Sequence, residues 1–84
     1  MIYQSVPTFI NAVRWLGDNE DEVLSELKIK KDLRVMDKML IWNDDHNKKF
    51  HVANIGDYVY TLMDDSRRLF KCSQENFENK FVLV

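Results

Sequence analysis

Residues 8–15 constrain the fold most, because they place apolar side chains on both faces of an extended chain. Side chains alternate between the two faces of a β-strand, and here the apolar ones divide into two sets. These are Phe9, Val13 and Trp15 on one face, and Ile10 and Ala12 on the other. A strand with one face in water needs only one apolar face. The pattern therefore predicts an inner strand.

An amphipathic helix is expected directly after this strand. Gly17 breaks the extended pattern, and Asp18 or Asn19 then offers a side-chain acceptor for the free amides of a helix N-terminus. The next three residues are acidic, which suits the first turn of a helix: Glu20, Asp21 and Glu22. Apolar spacing predicts a helix over residues 19–29 that buries Val23, Leu24 and Leu27.

The rest of the chain predicts short strands joined by polar turns. Strands are expected at residues 33–36, 39–42, 49–54, 58–63 and 67–72. Residues 43–48 and 64–66 have no apolar side chain and mark exposed hairpin loops. Ser73 can cap a short helix in which Phe77 and Phe81 share a face, and residues 82–84 finish as an edge strand or a tail.

We therefore expect one domain over residues 1–84, of the α+β class. Its mainly antiparallel sheet carries one amphipathic helix after the first strand and a short C-terminal helix.

Charge and cysteine content exclude several classes of function. The 12 basic and 14 acidic side chains leave a net charge of −2, which provides no global field for nucleic acid or an anionic membrane. A single cysteine forms no internal disulfide, and the sequence has neither a secretory signal pattern nor an apolar run of about 18 residues. We expect a protein of the cytosolic type with no membrane partner.

The sequence contains no evident catalytic, cofactor-binding or metal-binding constellation. Cys72 has no histidine at a recognisable spacing and is expected to be a buried structural thiol among aromatic residues. Asp44, Asp45 and His46 match no zinc pattern, and the two isolated glycines form no phosphate-binding loop. We expect a non-enzymatic protein without a cofactor. The enzymatic alternative is a small hydrolase or nuclease that uses Asp44, His46 or Asp64.

Charge is nevertheless organised along the chain in a way that suggests docking. Residues 18–26 include five carboxylates and no base, whereas the basic residues Lys28, Lys30, Lys31 and Arg34 follow directly. A surface that meets a basic partner has this pattern, and so does a solvated helix face with a complemented dipole. Glu26 lies one turn beyond the first turn and is expected to be freer than its neighbours to face a partner.

Two aromatic residues beside polar loops, Trp42 and Tyr60, would anchor an interface if exposed, and otherwise pack the core. The candidate partner-binding residues are Glu20, Asp21, Glu22, Glu26, Trp42, Asp44, Asp45 and Tyr60. Nucleic-acid binding is a weaker alternative, through a basic group composed of Lys48, Lys49, Arg67, Arg68 and Lys71.

Three short motifs resemble those of a known family. The chain contains Ala12-Val13-Arg14-Trp15-Leu16-Gly17-Asp18, then Gly56-Asp57-Tyr58, then Cys72 followed by Phe77 and Phe81. In order and spacing it resembles small proteins encoded by phages and prophages of Gram-positive bacteria, which share Ala-x-x-Trp-x-Gly-Asp and Pro-Gly-Asp-Tyr/Trp motifs and have no assigned activity. Ile55 stands where that group usually has proline, and Ser73-Gln74 replaces a Lys-Pro-type step, so both turns are expected to be looser.

The resemblance implies a protein of the bacterial host cytoplasm or of the virion. Our leading hypothesis is a monomeric or homodimeric, non-enzymatic binding protein that modulates or inhibits a host protein such as a defence or nucleic-acid enzyme. The alternative is a minor virion or assembly component that oligomerises through a sheet edge.

Overall fold

Two antiparallel sheets and two helices make up the part of the chain that the computed structural model describes, residues 1–5, 8–29, 33–44 and 49–83. The elements in chain order are β1 (Ile2–Ser5), β2 (Thr8–Arg14), α1 (Glu20–Leu27), β3 (Arg34–Met36), β4 (Met39–Asp44), β5 (Lys49–Ala53), β6 (Tyr58–Leu62), β7 (Asp65–Cys72), α2 (Gln74–Lys80) and β8 (Val82–Leu83). The larger sheet has the order β7-β6-β2-β1-β8, and the smaller sheet has the order β3-β4-β5. The predicted α+β class is confirmed.

β2 runs through the middle of the five-stranded sheet, between β6 and β1. Val13 and Trp15 on one face join a buried cluster with α1 and the smaller sheet, whereas Ile10 and Ala12 on the other face pack against Phe77 of α2. The inner strand with two apolar faces is therefore confirmed. The large sheet lies between α2 on one side and α1 with the small sheet on the other.

Phe9 does not follow the prediction, since its side chain is 44% exposed. The length and position of α1 explain the difference. The helix starts beside Arg14, whose carbonyl oxygen accepts from Asn19 Nδ2, and it ends beside Asn11, whose Nδ2 donates to the Glu26 carbonyl oxygen at 2.7 Å. Eight helical residues reach only about 12 Å, so α1 covers the second half of β2 and leaves Phe9 at the uncovered end.

The sequence pattern does not predict β1, the short strand that precedes β2. β1 pairs antiparallel with β2, with Ile2 opposite Asn11, and with β8, with Tyr3 opposite Leu83. Its four residues are too few for an alternation to be recognised, and the strand depends on partners from both ends of the chain. The expected strand at residues 82–84 is confirmed for Val82–Leu83, while Val84 lies outside the described residues.

The smaller sheet packs one face against the larger sheet and α1. Leu40 and Trp42 of β4 and Ala53 of β5 are buried in the same cluster as Trp15. The indole Nε1–H of Trp15 also donates to the carbonyl oxygen of Lys38, at 2.8 Å, in the turn between β3 and β4. This hydrogen bond joins the centre of one sheet to the hairpin turn of the other.

β4 and β7 are each two residues longer than predicted, because backbone pairing continues into polar residues, whereas β3, β5 and β6 are each one residue shorter. β4 extends to Asp44, which pairs with Lys49, so residues 43 and 44 of the expected loop belong to the strand, and residues 45–48 lie outside the described ranges. β7 likewise begins at Asp65 rather than at residue 67.

α2 begins as predicted, since Ser73 Oγ accepts a hydrogen bond from the Asn76 amide at 3.4 Å. Its buried Phe77 lies 4.8 Å from Phe81, measured between ring centroids. Cys72 is half-buried and packs against this aromatic group, as expected, but it is not fully enclosed.

Candidate functional site

The turn between β2 and α1 requires glycine at position 17. Gly17 has a φ of +96°, so backbone strain disfavours a side chain there, and an added Cβ, 3.0 Å from Ile55 Cδ1, would also require the exposed Ile55 side chain to shift. Asn19 stands at the N-cap position, but its side chain does not cap the helix. Its Oδ1 accepts from the Leu16 amide at 2.8 Å, and its Nδ2 donates to Glu22 Oε1 at 2.7 Å. The prediction that the Asn19 side chain caps the helix amides is therefore wrong. Asn19 instead stabilises the turn and orients the Glu22 carboxylate.

α1 carries the predicted acidic side chains on its accessible surface. Glu20 is half-buried, whereas Asp21, Glu22 and Glu26 are exposed. The helix contains no basic residue, and its C-cap, Lys28, adopts a left-handed conformation. Lys30 and Lys31, expected to complement this end, lie outside the described residues. The surface of α1 therefore carries only negatively charged side chains.

Glu26 is already paired within the molecule. Its Oε1 accepts from the Met1 ammonium at 2.8 Å, and the same ammonium donates to Asn11 Oδ1 at 3.1 Å and to the Ala12 carbonyl oxygen at 2.9 Å. The hydrogen bond from this ammonium and its positive charge lower the pKa of the Glu26 carboxyl group. The expectation that Glu26 is freer than its neighbours is wrong, because it joins α1 to the start of β1.

A cleft of about 320 Å³ opens beside this ion pair, where β1, β2, α1 and β6 meet. Its polar groups come from all four elements: Glu22 and Glu26 from α1, Arg14 from β2, Tyr3 from β1 and Tyr58 from β6. Of these five residues, only the two glutamates are among the partner-binding residues that the sequence predicts. The other residues are missed because the cleft depends on β1, which the pattern does not predict.

The cleft presents both signs of charge. Arg14 is held in place by its Nη2, which donates to Gln74 Oε1 at 2.7 Å. Burial, followed by the nearby Tyr58, raises the pKa of the Tyr3 phenol, which is therefore protonated at neutral pH. The lowered pKa keeps Glu26 ionised, so it accepts hydrogen bonds from cations and is a poor proton donor. The volume lies near the lower end of the range of about 300–1,000 Å³ for small-ligand pockets.

Trp42 and Tyr60, the two candidate aromatic anchors, both pack in the interior. Trp42 is 2% exposed, and its Nε1 donates to the Leu69 carbonyl oxygen at 3.3 Å. Tyr60 is half-buried and stacks on Phe70 with ring centroids 5.3 Å apart, and burial followed by the nearby Cys72 raises the pKa of its phenol. Trp42 therefore belongs to the core and cannot anchor a partner, while Tyr60 presents only part of its ring.

The acidic residues expected in the loop at residues 43–48 are described only in part. The backbone of Asp44 pairs with Lys49, but its side chain, and Asp45 and His46 entirely, lie outside the described structure. In the described ranges, no three His, Cys, Asp or Glu side chains form a group that could hold a metal ion. None of the described helices is long and apolar enough to cross a membrane. Asp44 and Asp45 stay predictions as partner-binding residues.

The motifs that carry the family resemblance meet at one end of the large sheet. The Trp15 amide donates to the Asp57 carbonyl oxygen, and the Gly56 amide donates to the Trp15 carbonyl oxygen, both at 2.8 Å. Tyr58 pairs with Cys72 in the β6–β7 register and stacks on Phe77 with ring centroids 4.0 Å apart. These residues form a packed framework next to the cleft, which gives the motifs a structural role.

No family model, curated protein or solved structure matches the chain. The resemblance to phage and prophage proteins therefore stays a prediction.

Proposed function

We propose that the chain is a phage-encoded, non-enzymatic binding protein that acts in the bacterial host cytoplasm. Its partner is a host protein with a basic docking surface, such as a defence or nucleic-acid enzyme, which it modulates or inhibits. The observation that supports this proposal best is the charge of α1, which has four carboxylates and no base in eight residues, three of the four being exposed.

Asp21 is the best probe of this surface. Glu22 is engaged by Asn19, and Glu26 is engaged by the Met1 ammonium. Asp21 is exposed, and its carboxylate has no hydrogen bond or ion pair among the described residues. Complementary charge at an interface mainly accelerates association, so a reversal at Asp21 tests docking with little disturbance of the fold.

The experiment compares Asp21→Lys with Glu75→Lys. Both residues are acidic, exposed and in the first turn of a helix, so both changes remove a similar favourable interaction with a helix dipole, worth about 0.3–1 kcal/mol, and both add the same charge. Each variant is used for affinity purification from a lysate of the Gram-positive host, followed by binding kinetics with the recovered partner at low and moderate ionic strength.

We expect Asp21→Lys to slow association and flatten its salt dependence, while Glu75→Lys behaves like the original protein. Equal on-rates and equal salt slopes for all three proteins would remove α1 from the interface. Recovery of nucleic acid or of a virion component as the principal partner would contradict the proposed class of function.

The virion alternative needs a sheet edge that accepts a further strand, and the eight-residue β7 is the longest edge strand of the two described sheets. β8 has two residues and β3 has three, so each offers few backbone groups for a further strand. On β5, the Lys71 ammonium donates to the Val52 carbonyl oxygen at 2.7 Å, which occupies one acceptor of that strand. Lys71 also belongs to the basic group that suggested nucleic-acid binding, and this contact occupies its ammonium.

A further inference from the structure

The small sheet has a second apolar face that points away from the core. Residues directly opposite one another in an antiparallel pair lie on the same face of a sheet. The register of β3, β4 and β5 therefore separates the buried Leu40, Trp42 and Ala53 from an outer face. This outer face consists of Arg34, Met36, Met39, Ile41, Asn43, Phe50 and Val52.

The outer face is accessible among the described residues. Met36 is 58% exposed and Phe50 is 69% exposed, while Met39, Ile41 and Val52 between them are half-buried. The opposite face of the sheet packs on α1 and the large sheet, so neither helix is available to cover the outer face. An apolar face of this kind, with no described element across it, is typical of an interaction surface.

The size of the outer face favours a single helix as its occupant. Three strands span about 10 Å between the outer backbones, and the six residues of β4 span about 20 Å. An α-helix with its side chains is about 10–12 Å wide, and about 13 residues of it cover 20 Å. An area of roughly 200–300 Å² is well short of the ~800 Å² per partner that a stable dimer needs, and a helix bound there forms a weak, transient complex.

The charge of the outer face indicates which charged side chain the partner helix carries. Arg34 is exposed, lies opposite Ile41 on the outer face, and its guanidinium group has no hydrogen bond or ion pair with any described residue. The outer face contains no carboxylate. A second copy would bring another arginine to the same surface, whereas a glutamate or aspartate of a partner would form a charge-assisted, bidentate pair with Arg34.

We propose that the outer face binds an amphipathic helix of a partner protein, three to four turns long, with an apolar stripe and an acidic residue that pairs with Arg34. The apolar stripe packs on Met36, Ile41 and Phe50, in the way that helices cover apolar sheets within domains. This surface is separate from α1, and the proposal does not depend on a basic partner binding there.

The experiment uses synthetic helical peptides of 14 residues with one leucine stripe, flanked by glutamate in one peptide and by glutamine in the other. Binding to the isotopically labelled full chain is followed by NMR chemical-shift changes. We expect the glutamate peptide to bind about threefold to tenfold more tightly than the glutamine peptide, with shifts confined to β3, β4 and β5. Arg34→Gln should abolish this preference.

Phe50→Ser should weaken binding at least about tenfold, because it removes an exposed aromatic contact without opening the core. Val82→Ser is the matched control, since Val82 is also apolar and 71% exposed but lies on β8 of the other sheet. Asp21→Lys should not alter peptide binding, which separates this surface from α1.

Three results would overturn the proposal. These are no binding of either peptide at millimolar concentration, equal binding of both peptides to the unmodified chain, and a homodimer in sedimentation experiments that Phe50→Ser dissociates. The last result would identify a second copy as the occupant of the outer face.

Discussion

Replacing Trp15 tests the junction between the two sheets most directly. The side chain is completely buried, and its indole N–H donates to the Lys38 carbonyl oxygen at 2.8 Å. Truncation of a buried tryptophan to alanine removes its apolar contacts and leaves a cavity, which costs about 3–5 kcal/mol. A domain of 84 residues has a total free energy of unfolding of only about 4–13 kcal/mol. Trp15→Ala should therefore leave much of the protein unfolded.

Trp15→Phe separates the two contributions of the indole. This substitution keeps most of the buried ring area and deletes the N–H. We therefore expect the free energy of unfolding to fall by about 1–2 kcal/mol, near the value of one hydrogen bond plus imperfect packing. Phe9→Ala is the control, because Phe9 lies on the same face of the extended segment that ends at Trp15 but is largely uncovered, and its loss should cost at most about 1 kcal/mol.

Urea unfolding followed by circular dichroism gives the three free energies of unfolding. A loss below about 1 kcal/mol for Trp15→Ala, or a loss for Phe9→Ala that equals it, would refute the position of Trp15 at the junction.

Two further predictions concern the aromatic cluster and the start of the chain. Cys72→Ser should lower the free energy of unfolding by about 1–2 kcal/mol in urea melts, because a hydroxyl replaces a half-buried thiol, and should leave partner binding per folded molecule unchanged. Loss of binding in a well-folded Cys72→Ser variant would instead give the thiol a functional role. The pKa of Glu26 is lowered on folding, so its contribution to stability is present above its unfolded value of about 4.5 and is lost as the pH falls through the folded value. Thermal melts should therefore show Glu26→Gln to be less stable than the original protein at neutral pH, with the difference shrinking as the pH falls below the unfolded value, whereas a difference that does not shrink at low pH would contradict the ion pair with Met1.

Much of the fold follows from local patterns in the sequence. The two faces of β2 predict its central place because Val13 and Ala12 both need cover, and Ser73 with Phe77 predicts α2 because a cap and an apolar position occur at helical spacing. These signals are local, and tertiary contacts agree with them. Which strands share a sheet is not local information, since Leu40 and Val59 alternate in the same way within β4 and β6, yet their strands belong to different sheets.

The candidate site is less predictable for a physical reason. The acidic character of α1 follows from Glu22 and its neighbours, but the cleft also needs Tyr3, Arg14 and Tyr58, which come together only through strand pairing. The internal partner of Glu26 is an ammonium 25 positions earlier, and no spacing rule relates the two groups. Trp42 likewise follows a strand pattern that fits either core or surface, and only the packing of the two sheets decides between them.

The turn between β3 and β4 determines when that hairpin can form during folding. Asp37 and Lys38 hold positive φ angles of 49° and 64°, which cost roughly 1 kcal/mol each without glycine. The hydrogen bond that offsets this strain comes from Trp15, 23 positions away, so it exists only after β2 has reached the turn. The small sheet should therefore assemble late, on the native side of the folding barrier. Lys38→Gly, which keeps the carbonyl acceptor and relieves the strain, should slow unfolding while leaving the folding rate nearly unchanged.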